Sequence, residues 1–415
     1  MIVKLPWLFT GVFSLCMLSL FYTPKLLNSY VEPLIDKCQK NGTLPFWSRG
    51  FARACCDVYP TSFVKHERGF FEAGGLSDST YFPKRSAKSG DVLYVAIADF
   101  PVFLQTFHRF DSSMRITLVT GAEDIGAPWE IFHPTRNFFD YTMSALWPKG
   151  QLMTMRQFIS DPRLVRWYAQ NYDLVGNTSF TTSDMNVLAD KELIAKVFPL
   201  PIGLDFHTLA EKNQQLSQQQ VLDSVCDQRR ELSAVVSKAL PFTQRLPQIY
   251  AMFECDFKKN QRMRIITRGA ICALLAFDQK NSTGHIIFAD SIKNKKDHNL
   301  SSQESKLLFW RQVSEVQFVI APAGMGTDTH RVWEILNLHS IPVVMSSPLD
   351  GLYEMFPVII VKKWSEVFQQ NAVSKFSAAI KEKFGEEPFK DSVLKMLQAD
   401  YWVNEIRNAS ASRSR

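Results

Sequence analysis

The chain of 415 residues is 46% hydrophobic and 21% charged, an ordinary globular mixture with length for roughly two to three domains. That composition excludes a disordered or collagen-like chain, and a core of this size does not depend on disulfides to hold it. Lys and Arg total 47 against 41 Asp and Glu, and the resulting net charge of +6 is too mild to argue for a nucleic-acid partner.

Residues 5–22 form an uncharged stretch between Lys4 and Lys25, long enough to span a bilayer as a helix. No small-residue cleavage site follows it, because Phe21, Tyr22, Thr23 and Pro24 are bulky. The expectation is a signal-anchor with a short cytoplasmic tip over residues 1–25. It places the remainder in the lumen of the Golgi or ER as a single-pass type II protein. A cleaved signal peptide is the competing reading. Five N-x-S/T sequons, at Asn41, Asn177, Asn281, Asn299 and Asn408, agree with a lumenal body. Beyond Cys16, six cysteines remain: Cys38, Cys55, Cys56, Cys226, Cys255 and Cys272. They permit disulfides, with Cys38 to Cys55 or Cys56 as one way to tie down the stem; buried free thiols are the alternative. No C-x-x-C spacing occurs, so neither a zinc knuckle nor a redox pair is suggested.

Residues 26–88 read as an irregular stem. Short apolar runs at 92–98 and 114–120 then predict buried strands of a parallel sheet. In residues 162–172, Leu164, Val165, Tyr168 and Ala169 fall at helical spacing and predict a helix. Residues 196–203 are Pro-rich and predict extended chain. Between 208 and 250, glutamines and charged residues accumulate without a glycine, which predicts a helical passage between two lobes. Strand-like runs return at 285–289, 317–321, 341–345 and 358–361. Helical patterns separate most of them, so the fold class is α/β with parallel sheets in two lobes. The boundaries are a first lobe over 89–207, the passage over 208–250, a second lobe over 251–385, and a C-terminal helix and tail over 386–415.

The stretch from 318 to 361 carries the most chemistry. A strand runs into Pro322-Ala323-Gly324-Met325-Gly326, then a helix from about Asp328 to His339, then a second strand from Ile341. In open α/β sheets ligands sit beyond the carboxyl ends of the strands, and a helix N-terminus there favours an anion. Gly324 and Gly326 allow close approach of a diphosphate, and Thr327 or Asp328 is the expected N-cap. His330 lies beside Arg331, which suits a two-donor clamp on phosphate oxygens. Glu334, one turn on, suits vicinal ribose hydroxyls. Arg331 and Glu334 also fit a surface ion pair, and Trp333, Ile335, Leu336 and Leu338 fit a core. Neither the Walker A pattern nor G-x-G-x-x-G is present.

This run resembles the C-terminal half of the exostosin-like glycosyltransferases of the family 47 type. The residues that carry the resemblance are Phe318, Pro322, Gly324, Arg331, Glu334, Leu336, Ile341, Pro342, Val343 and Val344. Weaker resemblance runs back through residues 201–207 and the Arg-rich stretch 262–268, covering about 160–370. Where members of the family often carry Gly before the I-P-V run, this chain has His339-Ser340. The resemblance implies a GT-B fold: two Rossmann-type lobes facing a cleft, the first taking a glycan or glycoprotein acceptor and the second a nucleotide-sugar, UDP-sugar above all. It also implies inverting transfer. The sequence has no D-x-D, so the expectation is a metal-independent reaction with no further cofactor, the leaving diphosphate being neutralised by Arg331, Arg264 and Arg268. A general base is then needed; Asp124 is the first choice, with Asp205 and His207 next. For Asp205 and His207, local turn hydrogen bonding is the competing role. Other functions fit the same chain less well: a non-catalytic relative acting as a binding or partner protein, or a lumenal sulfotransferase, whose phosphate loop is missing after the first strand.

Overall fold

The computed structural model describes residues 45–47, 51–52, 55–58, 87–97, 100–122, 124–132, 137–138, 141–142, 153–173, 195–206, 218–255, 262–281, 286–290 and 301–411. The expected anchor, residues 5–22, lies outside them. Among the described residues no helix is long and apolar enough to cross a membrane.

The first lobe is built on a sheet of four parallel strands, β1 (Val92–Ala96), β2 (Ile116–Gly121), β4 (Leu164–Ala169) and β6 (Val197–Pro199), in the order β1-β2-β4-β6. A small parallel pair, β3 (Ala127–Pro128) with β5 (Tyr172–Asp173), extends its carboxyl end. Every residue of β1 and β2 is buried, as expected of strands covered on both faces. Helices α1 (Phe100–His108) and α2 (Met155–Ser160) cover the sheet through an aromatic cluster. In it Phe100 stacks on Trp167 at 5.4 Å, and Phe158 meets both edge-on.

Strand β4 replaces the helix predicted over 162–172. Its apolar residues at i, i+1, i+4 and i+5 suit a strand buried on both faces as well as a helix. Side-chain type decides: Val165, Trp167 and Tyr168 favour a pleated surface, and β2 and β6 flank it. The stem also needs correction. Phe46, Phe51, Ala52, Cys55, Cys56 and Val58 are buried in the first lobe, and Val58 bridges to Leu93 in parallel, beside β1. Cys55 and Cys56 are free thiols, so neither pairs with Cys38. Cys226 is disulfide-bonded, and Cys255 bonds Cys272.

The passage is helix α3 (Gln218–Lys238). The second lobe then starts with strand β7 (Leu246–Phe253), inside the segment read as passage. Helix α4 (Arg262–Asn281), β8 (Ile286–Asp290), α5 (Ser302–Val313), β9 (Val316–Ile320), α6 (His330–Asn337), β10 (Ile341–Met345), the short α7 (Asp350–Tyr353) and β11 (Ile359–Val361) follow. The sheet order is β8-β7-β9-β10-β11, all parallel. Its first strand is interior, second from the edge: the chain winds one way to β8, then back across to β9. The switch point of this doubly wound sheet therefore lies between β7 and β9. After α8 (Ala372–Phe384) and α9 (Asp391–Met396), helix α10 (Ala399–Ala411) returns to the first lobe. There Arg407 pairs with Asp57 at 2.6 Å, and Ser410 Oγ donates to Thr117 Oγ1 at 2.9 Å.

Candidate functional site

The loops that leave the carboxyl ends of the two sheets face each other. From the first lobe come the described residues after β2 (122 and 124–126), Gln170 and Asn171 after β4, and residues 200–206 after β6. From the second comes the loop 321–329 after β9. Asp328 N–H donates to Asn171 Oδ1 at 2.9 Å, and Ile202 N–H donates to Asp328 Oδ2 at 2.8 Å. His330 Nδ1 donates to the Gly203 carbonyl at 2.6 Å. Carboxyl strand ends meeting in this way form the place where open α/β sheets hold ligands.

Within the second lobe, α4 leaves β7 on one side of the switch point and the Gly loop leaves β9 on the other. Arg268, on α4, crosses that gap: its Nε donates to the Ala323 carbonyl at 3.1 Å. A Cβ at Gly324 would lie 3.6 Å from both the Arg268 guanidinium and the Thr329 methyl, ordinary contacts, so no atom among the described residues forbids a side chain there. Gly326 differs. A Cβ there would stand 2.5 Å from Asn171 Oδ1, so its glycine is required by contact between the lobes. The disulfide between Cys255 and Cys272 pins α4 to the end of β7.

The helix after the Gly loop starts later than expected. Thr329, not Thr327 or Asp328, is the N-cap of α6, and its side chain makes no capping bond. Asp328 is buried instead. Its carboxylate accepts from the N–H groups of Ile202 and Thr329 and the Tyr353 hydroxyl, each at 2.8 Å, and from Trp333 Nε1 at 2.9 Å. Burial raises its pKa, and these donors only partly oppose the rise. The Tyr353 phenol is pushed well up by the same burial and by the adjacent carboxylate. A carboxylate of the chain itself thus stands beside the tip of α6, where a phosphate was expected to rest.

Arg331 and Glu334 both contact α5. Arg331 lies over the Phe309 ring of α5 at 4.9 Å. Glu334 pairs with Lys306 of α5 at 3.4 Å, both largely buried. Lys306 also donates to Gln228 Oε1 at 3.0 Å and to the Asp205 carbonyl, joining α3, α5, α6 and the first lobe. Of the base candidates, Asp124 is half-buried on the loop after β2 and Asp205 half-buried on the loop after β6, both on the cleft side of their sheet. His207 and the Arg264 side chain lie outside the described residues. Thr327 is half-buried on the Gly loop. Asn171, Lys306, Gln228 and Tyr353 belong to this junction and escaped the sequence, since each is an isolated polar residue outside any motif. The φ of 50° at Asn171 is the one local hint, a left-handed position that Asn tolerates. Among the described residues no three His, Cys, Asp or Glu side chains gather as metal ligands would.

No family model matches the chain, and no curated protein matches it. Among solved structures it is similar to one described as trehalose-6-phosphate from E. coli bound with UDP-2-fluoro glucose, at 10% identity over 84% of this chain and 78% of that one, with a TM-score of 0.35. A second is an α,α-trehalose-phosphate synthase (UDP-forming) from Burkholderia vietnamiensis, at 12% identity over 77% and 72%, TM-score 0.33. A third is the wall teichoic acid polymerase TagF, at 8% identity over 78% and 90%, TM-score 0.22.

Proposed function

We propose that the protein is a glycosyltransferase of GT-B type that moves a sugar from a nucleotide-sugar, a UDP-sugar first, to a glycan or glycoprotein acceptor. One observation carries the reading: a doubly wound parallel sheet whose switch point is bridged by Arg268, which donates to the Ala323 carbonyl of the Gly loop, set opposite the carboxyl strand ends of a second parallel sheet. A nucleotide diphosphate needs close backbone approach and a fixed guanidinium, and both occur together there. In this reading the diphosphate seat moves from the tip of α6 to the α4 side of the Gly loop. Arg268 meets the leaving diphosphate, with Arg264 one turn earlier on the same helix. The acceptor hydroxyl is deprotonated from the first lobe, by Asp124, Asp205 or His207, as the sugar carbon inverts. Membership of the exostosin-like family, a lumenal location behind an N-terminal anchor, and independence of a divalent cation are parts of the same proposal.

The test is nucleotide-induced stabilisation. A ligand that binds only the folded state stabilises by about 2.7 kcal/mol at a hundred times its Kd. UDP or GDP raising the melting temperature of the intact protein supports the proposal. A rise with adenosine bisphosphate alone points to sulfotransfer, and no response to any nucleotide points to a binding protein that lacks donor chemistry. Activity abolished by EDTA would remove the metal-independent clause.

A further inference from the structure

The junction between the lobes is held by buried polar contacts. Among the described residues, polar contacts across it include Asp328 Oδ2 with the Ile202 N–H, the Asp328 N–H with Asn171 Oδ1, His330 Nδ1 with the Gly203 carbonyl, and Lys306 Nζ with the Asp205 carbonyl. Asp328 is 1% exposed and Asn171 is 0% exposed. Gly326 packs so closely on Asn171 that a methyl group would not fit. Behind Asp328, Trp333 and Tyr353 fix its carboxylate from inside the second lobe. On the other side, residues 45–47 brace the same first-lobe loop, with Leu204 N–H donating to the Phe46 carbonyl at 2.9 Å.

We infer that Asp328 and Asn171 form a latch that holds the two lobes in one arrangement, so that residues 200–204 and 326–330 open and close as a single unit. The residues at the α6 tip then serve lobe registration, and the cleft keeps its shape without a swing of one lobe on the other. A buried carboxylate with donors from both lobes suits this role because its bonds are short, directional and expensive to break. The inference is independent of which ligand the cleft takes.

The experiment is amide hydrogen exchange on the full chain, which reports the free energy of local opening site by site. Asn171→Gly keeps the left-handed backbone and removes the Oδ1 acceptor. It touches neither Ile202 nor Leu204. If the latch is one unit, this variant speeds exchange at the Ile202 and Leu204 amides by about tenfold along with Asp328, and leaves β1 and β2 unchanged. Faster exchange confined to the Asp328 amide would mean separate contacts and overturn the inference. Asp328→Ala gives the reciprocal test, with faster exchange at Ile202 and at Ala127, whose N–H donates to the Asn171 carbonyl. If Asp328→Ala does not fold, the Asn171→Gly result decides alone. A nucleotide that fails to bind leaves both measurements unaffected.

Discussion

His339 follows Leu338, the C-cap of α6, with φ of 58°, the left-handed position that often ends a helix. Its ring stacks on Phe389 at 5.3 Å, and burial, together with the nearby Arg245 guanidinium, lowers its pKa from 6.5 to about 4. The folded state therefore disfavours the imidazolium, while the unfolded chain protonates normally. His339 costs nothing above pH 6.5, where both states are neutral. As pH falls from 6.5 towards 4 the unfolded state takes up the proton first, and stability is lost. The full loss is about 3 kcal/mol, 2.5 pK units at about 1.36 kcal/mol each, and about 2 kcal/mol of it is already gone at pH 5. His339→Asn keeps a residue that tolerates positive φ and cannot titrate. Urea unfolding of both proteins at pH 7.5 and pH 5.0 isolates the term, because every other titrating group is shared. The wild type should lose about 2 kcal/mol more than the variant between the two pH values. Equal losses would refute the reasoning and show that the ring is solvated when charged.

The two glycines of the loop should separate. Gly326→Ala drives a methyl group into Asn171 and should cost about 1–3 kcal/mol of stability, recovered in part by adding Asn171→Gly; chemical denaturation measures both, and an unaffected Gly326→Ala protein would contradict the close packing. Gly324→Ala should fold within about 1 kcal/mol of wild type yet bind UDP more weakly, which a thermal-shift titration reads; undiminished UDP binding would take Gly324 out of the donor seat. Arg268→Ala should abolish UDP-induced stabilisation. Arg331→Ala should keep it and lose stability through the Phe309 contact; the reverse pattern would return the phosphate to the tip of α6. Glu334→Ala leaves Lys306 buried without its carboxylate and should destabilise by about 3 kcal/mol at unchanged UDP affinity, whereas a selective loss of affinity would assign Glu334 to the ribose.

Much of the framework was legible because fully buried parallel strands read as short apolar runs. Six such runs became β1, β2, β8, β9, β10 and β11. The strand that sets the switch point, β7, was not legible: Leu246, Pro247 and Gln248 open it with exposed or half-buried positions, directly after a polar helix. The misread β4 shows the limit of periodicity when both faces are covered. Cys55 and Cys56 looked like stem cysteines because spacing carries no burial, whereas the fold places both inside the first lobe. At the site, the Gly loop and its position after a strand were visible. Which groups fill that loop was not, because Asn171 lies 157 residues from Asp328 and no local pattern joins them.

The sequence Gly324-Met325-Gly326-Thr327-Asp328 shows why a glycine pair before a helix is ambiguous. Glycine is demanded wherever a backbone must be approached closely, whatever makes the approach. At Gly326 the approaching group is the amide of Asn171, a protein group that takes up the space and the Asp328 N–H together. The next anion in line is Asp328 itself, which supplies the negative charge that a helix N-terminus favours. A phosphate placed there would have to displace Asn171 and stand against a buried carboxylate. Gly324 is buried as well, but a Cβ there would meet the Arg268 guanidinium and the Thr329 methyl at 3.6 Å, ordinary contacts, so the neighbouring charge is positive. The same motif thus splits into a half packed on the other lobe and a half beside the guanidinium of Arg268. Charge is what separates the two sides of the loop: a carboxylate at the helix tip and a guanidinium on the α4 side, which is why the proposed donor seat lies beside Arg268.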